Sequence, residues 1–252
     1  MALIANRASR LFQENNVDVE AGGRKTAAAW DAALYLEMNE TDRGVMEVTV
    51  ICNFKFKDGD GDPLKWSPGE QSDYMTNFRT ACAAAWNEKF RLTTTSSVPA
   101  VKSVGVIFDI KTAQNMSILS HSHYNLNVTK VPSDWIESSV RNCGGHITNS
   151  EVRLDSNDFR SENKGATGKQ RDSVHEFGHM LGYRDEYPVA KSNLLWLSDL
   201  ESIMYFSEQV RERHYTLFAQ WLNEQYQTAS DLAKEKIEFK VNGTTDKFNG
   251  KL

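Results

Sequence analysis

His175 and His179 stand four residues apart in the run His-Glu-Phe-Gly-His-Met-Leu-Gly-Tyr-Arg-Asp, residues 175–185. On a helix that spacing projects both imidazoles from one face. Two neutral ring nitrogens so placed can bind one Zn²⁺ at about 2.0–2.1 Å. Glu176 sits beside the same face, where its carboxylate reaches a metal-bound water without becoming a ligand, as a general base must. The plainer alternative is an amphipathic helix with two half-buried histidines. Gly182 offers a residue able to end the helix in the left-handed conformation. A turn there swings Asp185 back as a third ligand, and carboxylate oxygen binds Zn²⁺ at about 2.0–2.2 Å.

Further along, Ser202-Ile203-Met204-Tyr205 lies between loop-like sequence and a helix. With H-E-x-x-H-x-x-G-x-x-D upstream, the chain from His175 to about His214 resembles the metzincin clan of zinc endopeptidases, whose signature is followed by a Met-turn. The resemblance implies that His175, His179 and Asp185 hold one Zn²⁺ per chain, with Asp185 where histidine is more usual. It further implies that Glu176 is the general base, Gly182 the turn glycine and Met204 the floor beneath the metal. A tyrosine found two residues after the methionine in part of the clan is Phe206 here, and Tyr205 is the nearest phenol. His214 is a candidate donor to a ligand carboxylate or to the tetrahedral intermediate, and equally a buried structural histidine. Glu186 competes with Asp185 for the third position, and Glu201 and Glu208 lie at the distance of a gluzincin-type ligand. Gly182 and the Ser-Ile-Met run favour Asp185, leaving Glu186 and Tyr187 to cap or buttress the loop.

The implied fold is α/β (α+β): a twisted mixed sheet with a backing helix and an active-site helix, then a smaller helical C-terminal subdomain. The implied activity is zinc-dependent hydrolysis of peptide bonds in a protein or peptide substrate. A zinc amidase acting on cell-wall peptides shares that chemistry, and a non-catalytic metalloprotease-like binding module is the reading from another class.

The elements that would position these residues are legible in pattern. Val45–Phe56 is β-branched and aromatic and reads as a strand, and Val101–Ile110, Tyr124–Val131 and Ile147–Leu154 read as three more, the last near an edge. Ser67-Pro68 is a helix start, and Tyr74, Phe78, Cys82, Trp86 and Phe90 recur every four residues as the core face of the backing helix. Lys169–Leu181 reads as the active-site helix, Glu208–Tyr226 as a later helix and Ile237–Val241 as a strand. Residues 1–30 read as a polar lead-in, 31–241 as one domain dividing near residue 182, and 242–252 as a tail. The Asp58–Pro63 run is a solvated turn rather than a calcium loop, because its closing Glu70 is out of register. Leu194–Leu197 is an apolar loop cluster. His121 and His123 share one side of a strand, with a structural role outweighing a second metal site, and His146 is a loop residue.

The 252 residues carry a net charge of −5, which offers no basic field for nucleic acid. No apolar run approaches a membrane span, and the N-terminus lacks the apolar core of a signal peptide. Cys52, Cys82 and Cys143 are too few and too scattered for a disulfide framework, so free thiols are expected. Asp185-Glu186-Tyr187-Pro188, Ser202-Ile203-Met204 and Arg211–Tyr215 also look like peptidase domains of bacterial contractile injection and type VI secretion effectors. That second resemblance implies a soluble toxin exported without a signal peptide, with an immunity protein or a secretion-apparatus component as partner.

Overall fold

The computed structural model describes residues 7–21, 24–38, 40–97, 99–116, 122–133, 151–164, 168–187, 196–229 and 237–242. Its spine is β3 (Arg43–Lys57), whose Met46, Val48, Val50, Cys52 and Phe54 are fully buried along one face. β3 can be this apolar because it is paired along both edges. One edge runs parallel with β5 (Ser103–Gln114). The other is shared, first antiparallel with β2 (Arg24–Glu37), then parallel with β6 (Tyr124–Thr129). β1 (Arg7–Ala21) pairs with β2, β7 (Glu151–Asp155) with β6, β4 (Arg91–Thr93) with β5, and β10 (Lys240–Asn242) with β4. The outcome is a mixed α/β fold with few helices and a curled, mixed eight-stranded sheet, to which β8 (Glu162–Lys164) and β9 (Gly168–Gln170) add a separate ribbon.

His123 closes the seam where β3 changes partner from β2 to β6. Its Nδ1 accepts from the Ile51 N–H (2.9 Å) and its Nε2 donates to Asp31 (3.1 Å), with the ring fully buried. Both ring nitrogens are thereby used in joining strands, which fits the structural reading of this histidine. His121, His146, Cys143 and Leu194–Leu195 lie outside the described residues.

α1 (Pro68–Trp86) begins as its sequence demands. The Ser67 Oγ accepts from the Glu70 N–H and the Glu70 carboxylate accepts from the Ser67 N–H, a reciprocal cap. Tyr74, Phe78, Cys82 and Trp86 are its buried face, and they rest on the sheet and on α2 (Asp172–Met180). The Trp86 indole N–H donates to the Val174 carbonyl (3.1 Å), and the ring stacks on Tyr183 at 5.7 Å and 8°. Tyr124 of β6 donates to the Met180 carbonyl at the other end of α2 (2.6 Å). α2 is thus pinned at both ends by residues distant in sequence. Trp86→Ala is expected to cost about 3–5 kcal/mol, read as the loss of unfolding free energy in a denaturant titration. A loss below about 1 kcal/mol would remove Trp86 from this role.

Three expectations need correction. Within the range read as a polar lead-in, residues 7–21 and 24–30 are strand: β1 and β2 form a long hairpin whose second strand joins the main sheet, with Val17 and Trp30 buried. Register irregularities at Arg10/Phe12, Glu14/Val17 and Asp18/Glu20 break the period-two alternation that would have marked the strands. The active-site helix starts at Asp172 rather than Lys169, because residues 168–170 are strand β9 and Arg171 is extended, its N–H held by Glu208 (2.9 Å). The later helix, α3 (Thr216–Ala229), starts eight residues late behind a short 3₁₀ turn at Glu212–Tyr215, since Gln209 bridges to Ser202. The strand expected at Ile237–Val241 is β10, Lys240–Asn242, which enters the sheet beside β4, with Ile237 and Phe239 in the core. Among the described residues no helix is long and apolar enough to cross a membrane.

Candidate metal centre

α2 presents His175, Glu176 and His179, all buried, and their ligand atoms lie within 4.8 Å of one another. This is the one such His/Cys/Asp/Glu group among the described residues. A carbonyl only accepts, so the partners of the two rings fix their tautomers. His175 Nδ1 donates to the Ile203 carbonyl (2.7 Å) and His179 Nδ1 donates to the Tyr183 carbonyl (2.8 Å). With Nδ1 committed to a carbonyl, each ring turns its Nε2 into the site, the nitrogen that a metal would take once its proton is lost.

The chain leaves α2 through a Schellman turn. Gly182 adopts φ 109°, its N–H donates to the His179 carbonyl (2.9 Å), and the Tyr183 N–H donates to the Gly178 carbonyl (3.1 Å). That turn returns Asp185, whose Oδ1 lies 3.3 Å from His175 Nε2 and 3.1 Å from His179 Nε2. Tetrahedral ligand atoms about 2.0–2.1 Å from zinc stand about 3.3 Å from each other, so these separations suit a shared cation. Asp185 Oδ1 and Glu176 Oε2 are both buried without a hydrogen-bond partner, an expensive arrangement for carboxylates unless a cation answers them. Glu176 Oε2 stands farther off, 3.8 Å from His179 Nε2. The three donors therefore fit a zinc ion, with Glu176 beside it.

The electrostatics tie His179 to Asp185 as a charged pair, whose proton a metal would displace. Burial works against a charged His179 ring, yet Asp185, Glu176 and the Tyr183 carbonyl outweigh it and lift the ring to about 9. Burial raises Asp185 too, but the two histidines prevail and hold its carboxyl far below the usual range. Glu176 goes the other way: burial raises its carboxyl against the pull of both histidines.

Glu186 does not join the histidines. Arg213 grips it with two hydrogen bonds (2.7 and 2.5 Å), and His214 Nε2 lies 3.4 Å away. His214 is buried, its Nδ1 accepting from the Arg211 N–H (3.0 Å), so it serves Glu186 rather than the Asp185 carboxylate. Burial lowers its pKa despite Glu186. Glu208 is paired with Arg171 and Glu201 is largely exposed. Met204 is fully buried below α2, at the tight turn where the Ser202 carbonyl accepts from the Tyr205 and Ser207 N–H groups. Tyr205 packs against Phe206 and Tyr187 at the rim, with ring centroids 4.6 and 6.0 Å away.

Three contributors escape a reading of the motif. Gly178 lies inside it, and a Cβ there would stand 2.3 Å from the Met204 sulfur and 2.9 Å from the Trp86 ring. An isolated glycine within a helical pattern was the available signal. Gln170 braces the 202–207 turn by donating to the Ile203 and Ser207 carbonyls (2.8 and 2.7 Å). Asp199, buried, holds Arg211 and Arg213 together (2.8 and 2.6 Å), and neither contact has a local sequence signature. No family model, curated protein or solved structure matches the chain.

Proposed function

We propose that this chain is a zinc-dependent endopeptidase of the metzincin type, with His175, His179 and Asp185 as ligands and Glu176 as general base. The observation that carries this reading is the convergence of Asp185 Oδ1 on both histidine Nε2 atoms beside the buried, unpartnered Glu176 Oε2. Structural zinc sites are closed by four protein ligands, whereas catalytic sites hold three and leave one position open. A base beside a three-donor site has a use only where water is to be activated.

Zinc bound there would acidify a water molecule and polarise the scissile carbonyl. Glu176 takes the proton as water attacks and returns it to the departing amine, a role its raised carboxyl suits. The Nδ1–H bonds to Ile203 and Tyr183 hold both imidazoles in orientation through the cycle. Met204, packed on Gly178, gives the site a polarizable floor. The substrate is a peptide or protein.

Elemental analysis of the purified chain tests the reading without a substrate. About one zinc per chain is expected, with at least a 100-fold weaker affinity in Asp185→Ala, since a ligand and its charge are lost together. A chain that takes up no zinc after reconstitution would sink the proposal. Zinc held equally well by the variant would remove Asp185 from the ligand set.

A further inference from the structure

α3 presents Thr216, Ala219, Gln220, Asn223, Glu224 and Gln227 to one cavity of about 930 Å³. Spacings of three and four residues mark a single face of the helix. The opposite wall is Glu238, Phe239, Lys240 and Val241, the run that leads into β10. Burial alternates along it, with Ile237 and Phe239 inside and Glu238 and Lys240 outside, so the run is extended. Successive side chains of an extended run point to opposite faces. Four of them in a row line one cavity only where it follows the edge of the strand. β10 ends the sheet beyond β4, and among the described residues no strand pairs with its outer edge. The cavity is thus a groove between a helix face and a strand edge. None of its lining residues is a donor of the metal centre.

Backbone and charge together say what suits this groove. The Asn223 side chain holds Phe239 by both its N–H and its carbonyl (2.6 and 3.2 Å), as a neighbouring strand would. Residues two apart on a strand direct these groups to the same edge. The Val241 N–H and carbonyl therefore also point away from β4, on the side that lines the groove. As for charge, Arg211 and Arg213 stand in the wall, but Asp199 and Glu186 already neutralise them (2.8 and 2.5 Å). Three lining carboxylates, Glu212, Glu224 and Glu238, are then set against one lining amine, Lys240. That amine itself lies 3.6 Å from Glu238. The wall is acidic, while Ala219, Phe239 and Val241 give apolar surface on which the stems of long basic side chains can lie.

We propose that this groove docks an extended basic segment of a protein partner, which adds to the edge of β10 at Val241 and pairs its lysines or arginines with Glu224 and Glu238. Strand addition supplies backbone hydrogen bonds that any sequence can make, and side chains along the groove supply the preference. Neither contact requires zinc.

The probe is a short labelled peptide of alternating lysine and valine, read by fluorescence anisotropy. The same peptide with glutamate in place of lysine is the control. The full chain carries Glu176→Gln, so that both peptides stay uncut. The lysine peptide is expected to bind at least about 10-fold more tightly than the glutamate peptide, and rising salt should narrow the gap. Val241→Pro removes one outward N–H and leaves the pairing with β4 in place. It should weaken the lysine peptide about 10-fold at an unchanged unfolding temperature. Glu224→Lys/Glu238→Lys changes two exposed side chains and should turn the preference towards the glutamate peptide. This double variant is decisive if Val241→Pro does not fold. Equal affinity for both peptides, or a preference that the double variant leaves unmoved, overturns the docking site. Full affinity in a folded Val241→Pro overturns the addition to β10. A dimer in sedimentation that the double variant dissociates would give the groove to a second copy of the chain instead.

Discussion

Glu176→Gln is expected to lower turnover of an unfolded protein substrate such as casein by about 10²–10⁴-fold while zinc content stays near one per chain. Glutamine keeps the size and shape of the side chain and loses only the capacity to accept a proton. Its folding effect should run opposite to its catalytic effect. Burial raises the Glu176 carboxyl, so the ionised form is costly in the folded chain, and Oε2 has no hydrogen-bond partner to lose. The metal-free variant should therefore unfold at a temperature no lower than wild type, the usual trade between stability and a strained active site. Matched kinetic and calorimetric measurements separate the readings. Unchanged cleavage would end the role of Glu176. A zinc-loaded wild type that cleaves no peptide bond would point to a non-catalytic binding module, and a cell-wall peptide as the only substrate cleaved would point to an amidase.

Gly178→Ala should damage both the fold and the zinc site. In an ordinary helix interior that change stabilises by about 1 kcal/mol; here the sign is reversed. The new Cβ would stand 2.3 Å from the Met204 sulfur and 2.9 Å from the Trp86 ring, neither of which is at the surface. Forcing an extra carbon into a filled core costs about 1–3 kcal/mol or more. Because α2 would tilt off its floor, His175 and His179 would move relative to Asp185 and zinc affinity should fall as well. Met204→Ala makes room on one side, so the double variant should be more stable than the sum of the single losses by about 0.5–3 kcal/mol. Strict additivity in unfolding free energy would show that the sulfur contact is not the cause.

Much of this architecture is readable from local pattern. The four-residue stripe of α1, the Ser67-Pro68 start and the apolar run of β3 each stem from periodicity and capping within one segment, and the structure places them with little shift. His175, Glu176 and His179 share one helix, so their spacing alone brings them together. Asp185 comes near because Gly182 makes a turn that few other residues tolerate, again a local signal.

What lies beyond a single segment was decided elsewhere. Asp185 and Glu186 are adjacent carboxylates, and the Gly182 spacing that favours Asp185 does not say what takes Glu186. Arg213, joined to the core by Asp199, takes Glu186 and leaves Asp185 for the histidines. The β1–β2 hairpin is hidden because its irregular register erases alternation, and Glu14 becomes informative only once it accepts from Trp221 and Gln225 of α3 (2.7 and 3.0 Å). Gly178 reads as an ordinary helix glycine until Met204 arrives beneath it. By itself the sequence determined that His175, Glu176 and His179 lie together on one helix, because spacing of three and four residues is a property of one helix. Only the tertiary structure decided what takes Glu186 and what supports the histidines. Those choices depend on ion pairs and close contacts between segments tens of residues apart, for which no local pattern exists.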